Sequence, residues 1–164
     1  MNRPREGKFL SNEQMQTLRN LFFDRNIKDR NLESLFRKAV EIAGSKEKLI
    51  DWLSKNGIAA DAILKGNIGL LKYLGDNYPE YIHNERGLIS AAMVQTTPKA
   101  AIYLLSIKKY KPETVYEMIE HYIPTYSADL RKLLKNIDPA YIDKLSMIAN
   151  QRGDLEMINL LNMK

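Results

Sequence analysis

Cysteine is absent from the 164 residues, and this excludes disulfide frameworks, thiolate zinc sites, iron–sulfur clusters and cysteine nucleophiles. Histidine is almost absent: His83 and His121 stand far apart with no His-x-x-x-His pairing, so no metal site and no cofactor is expected. The glycines Gly44, Gly57, Gly66, Gly69, Gly75, Gly87 and Gly153 are scattered as punctuation between helices, which leaves no Gly-rich loop to cradle a phosphate. No Ser between glycines follows a strand, so a nucleophile elbow is missing as well. Glu117, Glu120 and His121 share a helical spacing, which reads as a wetted face rather than an acid–base set. An enzyme is therefore not expected.

Long apolar runs are also lacking. None approaches the length that spans a bilayer, and Met1-Asn-Arg-Pro-Arg-Glu is followed by no apolar core, so neither a membrane span nor a cleaved secretory signal is expected. Together with the missing cysteine, this points to a cytoplasmic working place, one reached from inside or by delivery into a host cell.

The chain has 45% hydrophobic residues and 27% charged ones, a balance that supports a folded core and argues against disorder. Its net charge is +5 and its pI about 9.3. The surplus sits at the front, where residues 1–40 hold nine Lys or Arg against five acids. The reading is a basic leader over 1–10 and a single all-α domain over 11–164.

Helical punctuation runs through that domain. Ser11 caps a helix whose Met15, Leu18, Leu21 and Phe22 recur at three- and four-residue steps, with Gln14 at the capping-box position. Further helices are predicted over Leu32–Ala43, Lys46–Lys55, Ala60–Lys65, Ile68–Leu74, Leu88–Gln95, from Pro98 to Ile107, Pro112–Tyr122, Ala128–Leu134, Pro139–Asn150 and Leu155–Asn162. Turns are placed at Asn56-Gly57, Gly66-Asn67, Thr96-Thr97-Pro98, Pro124–Ser127 and Gly153-Asp154. Strand-type alternation is absent.

The helices also repeat. Leu49-Ile-Asp-Trp-Leu53, Leu70-Leu-Lys-Tyr-Leu74, Ala101-Ile-Tyr-Leu-Leu105, Leu130-Arg-Lys-Leu-Leu134 and Met157-Ile-Asn-Leu-Leu161 close on leucines spaced 21, 31, 29 and 27 residues apart, near the length of a helix pair with its connections. Ile148-Ala-Asn-Gln-Arg-Gly153-Asp-Leu-Glu-Met-Ile-Asn-Leu-Leu161 and Asp61-Ala-Ile-Leu-Lys-Gly66-Asn-Ile-Gly-Leu-Leu-Lys-Tyr-Leu74 resemble the helix pair of the ankyrin repeat. The resemblance spans about residues 35–161 and is degenerate, because no unit carries a Thr-Pro-Leu-His opening and three lack the glycine. It implies stacked antiparallel helix pairs that bind a protein partner, and an irregular helical bundle is the alternative.

Two sets of residues are candidates for contact. The nine tyrosines all fall between Tyr73 and Tyr141, and Tyr78, Tyr81, Tyr110 and Tyr126 lie at loops or helix ends, where amphipathic rings suit an interface. Arg19, Arg25, Lys28 and Arg30 form a basic surface that suits an acidic protein or, as the second reading, a nucleic acid. The functional expectation is a non-catalytic interaction module of adaptor, inhibitor or effector type.

Overall fold

The computed structural model describes residues 9–162, without the side chains of Asp29 and Pro124. The described residues form eleven α-helices and one 3-10 turn, and no strand. The fold class is all-α. Contacts gather into two compact units that divide after Leu88, within the stretch that the sequence presents as one domain. Most of the leader expected over 1–10 lies outside the described residues.

In the first unit, α1 (Asn12–Phe22) starts on a complete capping box. Ser11 Oγ accepts the Gln14 N–H at 3.0 Å and Gln14 Oε1 accepts the Ser11 N–H at 2.7 Å, so two donors at the helix start are satisfied reciprocally. After the 3-10 turn (Ile27–Asp29) come α2 (Leu32–Ala43) and α3 (Lys46–Lys55), capped by the side chains of Asn31 and Ser45. Next are α4 (Ile58–Leu64), α5 (Ile68–Asn77) and α6 (Pro79–Asn84), and each helix from α1 to α6 packs on the next.

An aromatic cluster fills this core. The Phe36 ring lies 5.2 Å from Phe22, 4.6 Å from Tyr73 and 5.2 Å from Tyr78, and Phe22 lies 5.5 Å from Trp52. These distances are those of favourable edge and offset packing. The expectation that Tyr78 and Tyr81 are surface residues is corrected here: they are only 6% and 3% exposed. Tyr78 is drawn inward by the Phe36 ring, and Tyr81 by two backbone partners, since its hydroxyl accepts the Ala59 N–H at 3.1 Å and donates to the Leu53 carbonyl at 3.2 Å. Helix α6, which carries Tyr81, falls between the helices expected from sequence; Pro79 at its first position is the start signal that marks it.

The second unit continues from α7 (Leu88–Met93) through α8 (Lys99–Ile107), α9 (Pro112–Lys135), α10 (Pro139–Arg152) and α11 (Leu155–Asn162). Helix α9 packs on α8, α10 and α11, and α10 packs on α11, so α9 is the central element. It buries Val115, Tyr116, Met118, Ile119, Tyr122, Leu130 and Leu133. The break expected at Pro124–Ser127 is present as a kink that divides α9 into two helical halves, with Tyr126 at φ −118° and ψ 32°. A proline lacks the N–H that would bond one turn back, so an interruption near Pro124 is the expected consequence.

Each unit contains one copy of the same turn. Gly66 (φ 71°) and Gly153 (φ 64°) take the left-handed conformation, which glycine adopts without a Cβ clash. The next residue closes the turn: Asn67 N–H reaches the Ala62 carbonyl at 2.8 Å, and Asp154 N–H reaches that of Ala149 at 3.0 Å. The same two side chains then cap the following helix, Asn67 Oδ1 at the Leu70 N–H and Asp154 Oδ1 at the Met157 N–H. Ala62 and Ala149 are buried at matching positions, where small side chains let helices approach closely.

Candidate functional site

A concavity with a volume of about 500 Å³ lies in the second unit. It forms where the end of α8 and the connector 108–111 face the junction of α9 and α10. Two start signals shape it. Lys111 is extended ahead of Pro112, and Asp138, at φ −51° and ψ 128°, precedes Pro139, with Asp138 Oδ1 accepting the Ala140 N–H at 2.9 Å. Each proline fixes the first turn of its helix and makes the preceding chain approach at an angle. Space is left between the two helix starts.

The apolar surface of the cleft comes from Leu105, Ile107, Val115, Ile137 and Ala140, and its polar surface includes Lys108, Lys109 and Lys144. Tyr110 and Tyr141 also line it. The Tyr141 hydroxyl donates to the Tyr110 carbonyl at 2.6 Å and ties α10 to the connector. The Lys108 ammonium lies 5.4 Å from the centre of the Tyr110 ring, within cation–π range. Burial pushes the Tyr110 hydroxyl above its usual pKa, and its oxygen is enclosed with no hydrogen-bond partner among the described residues.

The four tyrosines expected at a binding surface are therefore dispersed. Tyr110 lines the cleft, Tyr126 is half-buried at the α9 kink with its ring 6.1 Å from that of Tyr122, and Tyr78 and Tyr81 are core residues of the first unit. Sequence reading does not place Lys109, Tyr141 and Lys144 in one site. The run Lys108-Lys109-Tyr110-Lys111 just before Pro112 is the visible signal for half of it.

The basic set is partly gathered. Arg25 and Lys28 line a groove of about 290 Å³ in the first unit, together with Asp24, Asp61 and Lys65. Two ion pairs offset its charge, Arg30–Asp24 at 2.6 Å and Lys65–Asp61 at 3.0 Å. The hydrogen bond from the Asn26 N–H, and then that from Arg30, hold the Asp24 carboxyl below the usual aspartate range. Arg19 lies outside the groove with its guanidinium 5.6 Å from the Phe23 ring, and Lys65 approaches the same ring at 5.2 Å. Phe23 is thus an exposed aromatic between two cations, which sequence reading misses because Lys65 is distant in the chain.

Glu117, Glu120 and His121 all lie on α9. His121 packs edge-on against Tyr122 at 4.7 Å, while Glu120 hydrogen-bonds Asp154. The bond from the Tyr116 hydroxyl, 2.8 Å long, holds the Asp154 carboxyl below its usual pKa. The bond to Asp154 raises that of Glu120. Asp154 thus contributes stability that is present above its unfolded pKa and lost as pH falls through its folded one. For Glu120 the contribution is present at lower pH and lost as pH rises through its folded pKa. Neither group is buried, which keeps the effects small. Carboxyl carbon NMR should find Asp154 titrating below Glu120, and Tyr116→Phe should move Asp154 upward; an unchanged Asp154 would refute the assignment.

Among the described residues no group of three or more His, Asp or Glu could hold a metal ion, and no helix is long and apolar enough to cross a membrane. No protein-family model, curated protein or solved structure matches the chain.

Proposed function

We propose that this chain is a non-catalytic protein-interaction module that receives a segment of a partner protein in the cleft of its second unit. The cleft itself carries this reading: it combines an aliphatic surface, two tyrosines and a lysine-bearing border in about 500 Å³, the pattern of a central anchor pocket with a polar rim. The helix pairs are read as degenerate ankyrin-like units. The shared Gly-Asx turns at Gly66-Asn67 and Gly153-Asp154, with the same hydrogen bonds in both copies, support that view. An adaptor, inhibitor or effector working in the cytoplasm fits such a module.

Nucleic-acid binding through Arg19, Arg25, Lys28 and Arg30 is the competing reading. The acids Asp24 and Asp61 inside the groove weaken it, because each neutralises one of the nearby cations. Ala140 is exposed and borders the cleft, so Ala140→Trp fills the space without disturbing the core. In affinity purification from nuclease-treated lysate, a protein retained by the wild type should be lost by Ala140→Trp with helicity unchanged. Equal retention by both would defeat the cleft, and recovery of nucleic acid alone from untreated lysate would favour the competing reading.

A further inference from the structure

We infer that the cleft of the second unit takes an acidic segment carrying one large apolar side chain; the inference rests on the cleft being the binding site proposed above. Its charge is one-sided. Lys108 and Lys109 come from the connector and Lys144 from α10, whereas Asp138 is the one carboxylate along the lining. Asp138 Oδ1 accepts the Ala140 N–H and keeps its negative charge, which still leaves the lysines in excess along the lining. Lys109 and Lys144 are exposed and have no ion pair among the described residues. Glu113 lies near Tyr141, but the lining itself carries three lysines against one carboxylate, so a partner with negative charge is the complementary one.

The apolar surface narrows the class further. Leu105, Val115 and Ile137 offer aliphatic contact, which suits a Leu-sized or Phe-sized side chain seated in a pocket. A nucleic acid is disfavoured, because single strands bind by stacking bases on open aromatic faces. Here the Lys108 ammonium stands over the Tyr110 ring, which is itself half-buried. The lysines do their work at the border, where charge governs encounter and salt dependence, and the aliphatic surface holds the anchor.

The test uses methyl-labelled full-length protein and four probes. These are a 12-residue peptide of Glu and Asp around one Leu, the same peptide with Gln and Asn in place of the acids, the acidic peptide with Leu replaced by Gly, and inorganic pyrophosphate. The acidic Leu peptide should shift the Leu105, Val115 and Ile137 methyl signals, and binding should weaken by about tenfold or more in Lys109→Glu/Lys144→Glu. Lys109→Gln/Lys144→Gln should give an intermediate loss, and both variants change exposed side chains only. Equal, salt-insensitive binding of the neutral peptide would overturn the acidic partner and leave the cleft standing. Pyrophosphate or the Gly peptide producing the same shifts with equal affinity would reduce the site to simple anion binding and overturn the anchor. No methyl shift with any probe overturns the inference, and in that case retention of partner by Ala140→Trp decides whether the cleft reading fails with it.

Discussion

Phe36→Ala should cost about 3–5 kcal/mol of stability, the largest effect of any single change considered. Phe36 is only 2% exposed and its ring contacts those of Phe22, Tyr73 and Tyr78. Those partners come from α1, α5 and the α5–α6 junction, so truncation opens a cavity where three elements meet. Neighbouring rings cannot close it without leaving their edge and offset geometries, and each aromatic pair is worth about 0.5–1.5 kcal/mol beyond its buried area. Urea unfolding followed by Trp52 fluorescence reads the change locally, because Trp52 packs on Phe22. A loss below about 1 kcal/mol, the range of ordinary surface substitutions and mild core changes, would mean that the cluster does not form the core of the first unit.

Tyr81→Phe should cost about 1–3 kcal/mol, the penalty of leaving buried backbone groups without partners. The substitution removes a single oxygen. That oxygen has two tasks: it accepts the Ala59 N–H in the first turn of α4 and donates to the Leu53 carbonyl in the last turn of α3. Helix α4 begins at Gly57, which has no side chain to cap the free N–H groups of its first turn. Tyr81 supplies part of that cap from α6, some 22 residues away in sequence. Burial pushes its hydroxyl far above the usual tyrosine pKa, so it remains a donor across the neutral range. Amide exchange at Ala59 should accelerate in the variant while that at Leu104 in the second unit is unchanged. Unchanged exchange at Ala59 would show that the cap is not used.

These two residues also mark where sequence stops being informative. Helix starts are legible because their signals are local: Ser11, Asn31 and Ser45 each cap from the position that their side-chain chemistry favours. The Gly-Asx turns are legible for the same reason, since the left-handed glycine and the capping side chain are adjacent. Tyr78 and Tyr81 look like surface residues in the sequence because they lie at loops or helix ends. Their burial depends on Phe36, Leu53 and Ala59, partners that spacing along the chain does not reveal. Pro124 signals a break, and the chain kinks beside it, at Tyr126, between two helical halves that each bury a face.

The candidate site shows the same limit. Tyr110 is legible as a contact residue, and the lysines flanking it are visible as a run. The convergence of that run with Asn136–Lys144 is tertiary, set by two helix starts at Pro112 and Pro139. The basic residues at the front of the chain draw attention through their number. The Arg30–Asp24 ion pair, and Asp61 beside Arg25 and Lys28 in the same groove, lower what that number means, an offset that a count of charges does not show.

The most direct test of the interaction role is site-specific photo-crosslinking, with benzoylphenylalanine placed in turn at Ala140 in the cleft and at Lys28 in the basic groove. Both positions are exposed and neither contributes to a buried core. The expected result is an adduct to protein from position 140 that is suppressed by excess acidic Leu peptide, with none from position 28. A nuclease-sensitive adduct from position 28, and none from 140, would contradict the account.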